Sequence, residues 1–165
     1  MIRYFAYGSN MFTKRLRARV PSANPIGIGC VKAHQLRWHK KSTDGSGKCD
    51  IYSTGNRGHL VHGVIFEIAQ AEKPKLDRAE GLGNGYEEKE VEVTTGSGLV
   101  SAVAYYATAI DEQLRPYEWY KRYVVEGAIE YDLPENYVKE LKAVEAVKDP
   151  DHEREQKETS WLKSS

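Results

Sequence analysis

The chain has 165 residues and no net charge, with 24 Lys and Arg set against 24 Asp and Glu. At 40% hydrophobic and 29% charged, it has the composition of one globular domain burying roughly 70% of its unfolded surface, which excludes a disordered chain. No apolar run approaches the ~20 residues of a membrane-spanning helix, and Arg3 followed by YFAYGSN predicts no signal peptide.

Residues 2–7 (IRYFAY) are aromatic and β-prone and predict a first strand. Gly8-Ser9-Asn10 interrupts it, and MFTKRLRA then predicts a helix with Ser9 or Asn10 as its N-cap. Pro21 and Pro25 bracket a loop. Residues 27–39 read as one second strand, and STDGSGK (42–48) as a hairpin turn. Further strands fall at 49–53 and 59–68. HLVHGVIFEI is the most continuous apolar run and belongs at the sheet centre. AEKPKLDRAEG (71–81) predicts a short helix, with Pro74 in its first turn and Gly81 at its stop. Residues 86–95 and 99–108 read as two strands about the turn TGSG. After Pro116 the pattern turns helical, in YEWYKRYVVEGAIE and in PENYVKELKAVEAV, where Tyr137, Leu141 and Val144 keep helical spacing. Residues 148–165 read as a polar, loose tail tacked down by Trp161. Strands first and helices last give an α+β fold, with one domain over 1–147 and a tail beyond it.

The zero charge hides an asymmetry. Residues 1–41 carry nine basic groups and no acid, and Asp44 is the first acid in the chain. Either the fold brings the two halves together or one face is basic. The run Lys14, Arg15, Arg17, Arg19 lacks interleaved aromatic residues, so a solvated helix face is a simpler reading than a nucleic-acid contact.

Six patterns bear on chemistry. Tyr7-Gly8-Ser9-Asn10 ends a strand and starts a helix, whose first amides can hold an anion or an oxyanion; an ordinary helix start is the plain alternative. Glu80 falls at the C-terminal end of its helix, where partial negative charge disfavours another. An acid there suits a proton shuttle; a solvated surface glutamate is the plain alternative. GLGNGY (81–86) follows a helix and not a strand, so it is no dinucleotide fingerprint but a flexible loop beside Glu80. His59 and His62 lie on a strand, where i and i+3 point to opposite faces, and no metal site is expected. Eleven tyrosines, seven of them from 105 to 137, supply hydroxyls for a polar pocket or for core and rim packing. Cys30 and Cys49 have no metal or CxxC spacing and read as unreactive thiols in a reducing cytoplasm.

Taken together, YFAYGSNM (4–11), LDRAEG (76–81) with Tyr86 after the glycine loop, and WYKRYVVEGAIEYDLPENYVKELKAVE (119–145) resemble the γ-glutamylcyclotransferases of the AIG2-like superfamily. The resemblance implies a single domain with a mixed, β-barrel-like sheet and helices packed outside, and no cofactor. It implies that Tyr7, Gly8, Ser9, Asn10 and Met11 form a substrate-binding turn, that Glu80 is the catalytic acid/base, and that Tyr86 and Tyr120 line the ligand. The implied reaction is attack of a γ-glutamyl substrate's own α-amine on its γ-amide carbonyl, releasing 5-oxoproline and an amino acid. A γ-glutamylamine cyclotransferase and a non-catalytic binding protein of the same fold are the alternatives. The expected partner is a small γ-glutamyl substrate, with no nucleic acid and no membrane; a homodimer is left open.

Overall fold

Residues 60–68 form the hydrophobic hub of the sheet, and the other strands are built round it. The computed structural model describes residues 1–163. In chain order it contains β1 (Ile2–Ala6), α1 (Thr13–Arg19), β2 (Asn24–Lys32), β3 (His34–Lys41), β4 (Gly47–Ser53), β5 (Leu60–Ile68), α2 (Lys73–Glu80), β6 (Tyr86–Thr95), β7 (Gly98–Ala107), α3 (Glu118–Glu130), α4 (Glu135–Ala143) and α5 (His152–Lys163). Val61, Val64, Ile65, Phe66 and Ile68 of β5 are essentially inaccessible to water. A strand buried on both faces reads as a continuous apolar run, not as an alternation.

Five strands close into a barrel in the order β1-β5-β2-β6-β7. β5 pairs antiparallel with β1 on one side, from Ile2↔Ile68 to Ala6↔Val64, and with β2 on the other. β6 and β7 form a hairpin from Tyr86↔Ala107 to Thr95↔Gly98. β7 then meets β1 in parallel at Tyr4↔Val103, which closes the sheet. Closure removes the edges at which other chains pair. The remaining strands, β3 and β4, make a separate hairpin. It is tied to the barrel by Asp50, which accepts from the Ala107 amide (2.8 Å) and lies 2.7 Å from His39 Nε2. The helices cover the barrel, and Leu16, Leu76 and Tyr123 bury themselves completely between the layers. This is the mixed, barrel-like α+β domain that the resemblance implied.

Three expectations fail locally. The strand expected over 27–39 is two strands, because the chain turns at Ala33 with φ 64°. The Ala33 amide bonds the His59 carbonyl (3.0 Å) and its carbonyl accepts from Thr54 (2.9 Å), so the break is fixed by distant partners. The tail is not loose: residues 152–163 are helical. Buried Asp149 anchors that helix, accepting from Trp119 Nε1 (2.9 Å) and from Arg154 through Nε (2.5 Å) and Nη2 (2.6 Å). Ser164 and Ser165, the end of the expected tail, lie outside the described residues. Finally, neither Ser9 nor Asn10 caps α1. Its N-cap is Phe12, and the Thr13 amide is satisfied by Glu130 Oε1 at 3.1 Å. No helix among the described residues is long and apolar enough to cross a membrane.

Candidate active site

β1 ends at Ala6, and a single turn of 3-10 helix follows over Ser9–Met11. Glycine at position 8 allows a close approach: a Cβ there would sit 3.2 Å from Cys49 Cβ and 3.4 Å from the Tyr120 hydroxyl. The turn bonds Met11 N to Gly8 O (3.1 Å) and Phe12 N to Ser9 O (3.2 Å). The amides of Ser9 and Asn10 come before these bonds and are the ones a turn of this kind leaves unsatisfied. Met11, expected to bind substrate, is closed off from solvent. Its amide is spent on Gly8, and its side chain is fully buried against Gly127.

Glu80 closes α2. Gly81 takes the left-handed conformation (φ 79°) that ends the helix, its amide returning to Asp77 O at 2.9 Å. The Glu80 carboxylate comes to face the turn after β1. Asn10 Nδ2 donates a short hydrogen bond to Glu80 Oε1, and Arg19 Nη1 lies 3.9 Å from the same oxygen. Asn10 Nδ2 also donates to the Tyr4 hydroxyl (3.1 Å), while its Oδ1 accepts from Arg19 (3.0 Å). Both ends of the Asn10 amide are therefore assigned. Glu80 Oε2 has no hydrogen-bond partner among the described residues.

Tyr4, Tyr7, Gly8, Ser9, Asn10, Cys49, Glu80, Tyr86, Tyr105 and Tyr120 enclose a cavity of about 30 Å³. Their hydroxyls are oriented. Tyr7 donates to Tyr105 O (2.5 Å) and Tyr86 to Cys49 O (2.6 Å), so both present lone pairs to the cavity. Tyr120 instead accepts from the Cys49 amide (3.0 Å), which leaves its proton to give. Burial, with the Glu80 charge among the further causes, raises the pKa of Tyr4, Tyr7, Tyr86, Tyr105 and Tyr120 above the ordinary tyrosine value. All five stay protonated at neutral pH. A larger groove of about 540 Å³, lined by Lys32, His34, Arg57 and Lys89, lies elsewhere and includes none of these residues.

Residues 60–141 match the AIG2-like family. γ-Glutamylcyclotransferase from Mus musculus is 31% identical over 154 residues, spanning 86% of this chain and 78% of the relative. That from Homo sapiens is 32% identical over 148 residues with the same coverage. A solved γ-glutamyl cyclotransferase structure superposes with a TM-score of 0.85 at 28% identity, over 96% of this chain and 98% of that one. The chain belongs to the γ-glutamylcyclotransferase family.

In this γ-glutamylcyclotransferase-family site, sequence reasoning brought together Tyr7, Gly8, Ser9, Asn10, Glu80, Tyr86 and Tyr120. It missed Tyr4, Tyr105, Cys49, Arg19 and Lys40. Asp77, three residues before Glu80 on the same helix face, accepts from the Tyr105 hydroxyl (2.6 Å), a spacing the LDRAEG segment already displayed. Arg19 is likewise four residues after Arg15 on the helix following the turn. Lys40 is buried with its Nζ 4.6 Å from the Tyr86 ring centre. Burial lowers the Lys40 pKa, and the Glu80 charge acts against that.

The glycine loop is more constrained than expected. Gly81, Gly83 and Gly85 all have positive φ, at 79°, 83° and 107°. Gly83 N bonds Tyr86 O (2.8 Å) and Asn84 N bonds Gly81 O (2.8 Å), so the segment is a braced turn. His59 pairs with Thr54 Oγ1 (2.9 Å), and His62 lies edge-on to Tyr137. No group of three or more His, Cys, Asp or Glu suited to a metal ion occurs among the described residues.

Proposed function

We propose that the protein is a γ-glutamylcyclotransferase acting on γ-glutamyl amino acids or peptides. The observation that carries the reading is a carboxylate held by one oxygen, with the other free, in a buried cavity of oriented hydroxyls. The substrate's α-amine attacks its own γ-amide carbonyl, so the protein need not supply a nucleophile. Holding the two groups in near-attack geometry is worth about 7–11 kcal/mol in favourable cases.

Two proton movements remain. The α-ammonium must lose a proton before attack, and the departing nitrogen must gain one. Glu80 Oε2 does both, for about 10²–10⁴ in rate. The lone pairs of Tyr7 and Tyr86 receive the ammonium, and Tyr120 donates to a substrate oxygen. The amides of Ser9 and Asn10 face the developing oxyanion, at roughly 3–4 kcal/mol per donor. A cavity of 30 Å³ has room for little more than a water molecule. A γ-glutamyl group therefore enters by parting the side chains that enclose it.

The chemistry is redox-neutral and internal to the substrate, so it calls for no cofactor. Cys30 and Cys49 are free thiols, which suits a cytoplasmic setting and a place in glutathione metabolism. The basic front also has internal work, since Arg15, Arg17 and Arg19 bond Ser9, the Ala23 carbonyl and Asn10. That supports a small-molecule substrate over nucleic acid. The reading is tested by 5-oxoproline release from a panel of γ-glutamyl compounds and their N-acetyl counterparts. The free amines should turn over and the N-acetyl forms should not. Turnover of an N-acetyl compound excludes attack by the α-amine.

A further inference from the structure

Two carboxylates are buried almost completely among the described residues, those of Asp149 and Asp50. Asp149 anchors α5. Asp50 lies on β4, outside the lining of the cavity, and its partner is His39 of β3, also buried. A carboxylate only accepts, so His39 Nε2 donates to Asp50 Oδ2 (2.7 Å) and the Ala107 amide donates to Oδ1 (2.8 Å). Both oxygens are therefore assigned. Taking such a pair out of water offsets much of its own attraction, so stability alone does not account for it.

What the pair does fix is geometry. Asp50 follows Cys49, whose peptide groups hold two hydroxyls of the cavity. Cys49 N donates to Tyr120 (3.0 Å), and Tyr86 donates to Cys49 O (2.6 Å). Ala107 is the ladder partner of Tyr86, and it lies two residues beyond Tyr105, whose carbonyl accepts from Tyr7 (2.5 Å). The Asp50 carboxylate thus joins the two backbone segments that orient all three hydroxyls. No ladder joins β4 to β7, because β3 and β4 form a sheet of their own. His39 is braced in turn, its carbonyl accepting from the Asp111 amide (2.8 Å) and its ring lying edge-on to Tyr52.

We infer that Asp50 and His39 are positioning residues for the cyclisation. Through the Cys49 peptide they hold the Tyr86 and Tyr120 hydroxyls in the orientation that substrate meets. The inference rests on the cyclotransferase reading above, and adds to it two residues that never touch substrate.

The test is a double-mutant cycle on 5-oxoproline release, run well below the Tm of every variant. Asp50→Ala should lower kcat/KM on the order of 10²-fold, as for a small misplacement of reacting groups. In a Tyr86→Phe background the same change should cost at most about tenfold, because one of the hydroxyls it orients is already gone. The fall in Tm should be the same in both backgrounds. Independent sites multiply their losses, so a multiplicative result would make the pair merely structural and overturn the inference. If Asp50→Ala does not fold, His39→Leu takes its place in the cycle and is read in the same way. His39→Gln, whose amide can donate to the same oxygen, should recover most of the rate that His39→Leu loses; no recovery would contradict the assignment. Wild-type release with unchanged rates in the Asp50 and His39 variants removes the positioning role alone. No release by the wild type removes the cyclotransferase reading and the inference with it.

Discussion

As the proposed general acid/base, Glu80 is both fixed and available. Asn10 holds Oε1 and is itself fixed by Tyr4 and Arg19, so the carboxylate cannot swing away, while Oε2 stays open. The hydroxyls of Tyr7, Tyr86 and Tyr120 are set by backbone partners that a ligand cannot displace, which is pre-organisation in the sense that matters for rate. Tyr120 is the informative case because it accepts from a buried amide, that of Cys49. Tyr120→Phe strands that amide at a cost of about 1–3 kcal/mol and removes the donor proposed to face substrate. Unfolding and kinetics measured together should show both losses; a stable variant with unchanged kcat/KM would remove Tyr120 from the site. At this scale the cavity was legible in the sequence where its lining falls in short local segments, as in YGSN and LDRAEG. Tyr4 and Cys49 were not, since nothing in IRYFA or GKCDI says which side of a closed barrel they face.

Between elements, the position of the turn after β1 depends on α3. A Cβ on Gly127 would lie 2.6 Å from both Met11 Cβ and the Phe12 amide. Gly127→Ala must push α3 and the turn apart, and overpacking of this kind costs about 1–3 kcal/mol. The expected result is a lower Tm and a fall in kcat, since Ser9 and Asn10 move with the turn. The β3–β4 hairpin is strapped down in a different way. Tyr117 donates to Asp44 O at 2.6 Å, and the Asp44 carboxylate accepts from Ser46 and from Lys48 Nζ (3.0 Å). Burial alone would raise the Asp44 pKa, but Lys48 and the Ser46 bonds outweigh it and hold the value at about 2. A carboxylate with a lowered folded-state pKa stabilises the fold above its ordinary value of 3.8 and loses that contribution as pH falls towards 2. Lys48, lowered by burial to about 8, does not titrate in that window. Asp44→Asn should therefore be less stable than wild type above pH 4, by on the order of 1 kcal/mol after solvent screening. The two should converge near pH 2 in acid-unfolding curves; a constant gap would contradict the assignment. The elements themselves were mostly visible in hydrophobic period and turn residues. The exception at Ala33 has no turn residue to announce it, because its left-handed conformation is imposed by His59 and Thr54.

Across the whole molecule, the balance of charge is resolved by contact between the two ends of the chain. Arg15 on α1 meets Glu158 on α5, and Lys14 donates to the Trp161 carbonyl at 3.1 Å. The same α5 is the segment whose polar composition suggested a loose tail. Its helix is held by Asp149 and by packing on α1 and α3, relations between distant parts of the chain that composition does not encode. Removing residues 150–165 should lower Tm and impair turnover together, because Arg15 also holds Ser9 Oγ (3.2 Å) in the site. A truncated chain with wild-type stability and activity would show that α5 is dispensable. Barrel closure by parallel pairing of β7 with β1 was equally out of reach of local pattern, although the mixed sheet followed from the family resemblance. All these contacts converge on one claim, that Glu80 carries the proton between the two ends of a self-cyclising substrate. The direct measurement is 5-oxoproline release from a γ-glutamyl amino acid by wild type and by Glu80→Gln, with substrate binding followed in parallel. Glu80→Gln should bind substrate and release 5-oxoproline at least about 10²-fold more slowly, whereas release at a near-normal rate would contradict the account.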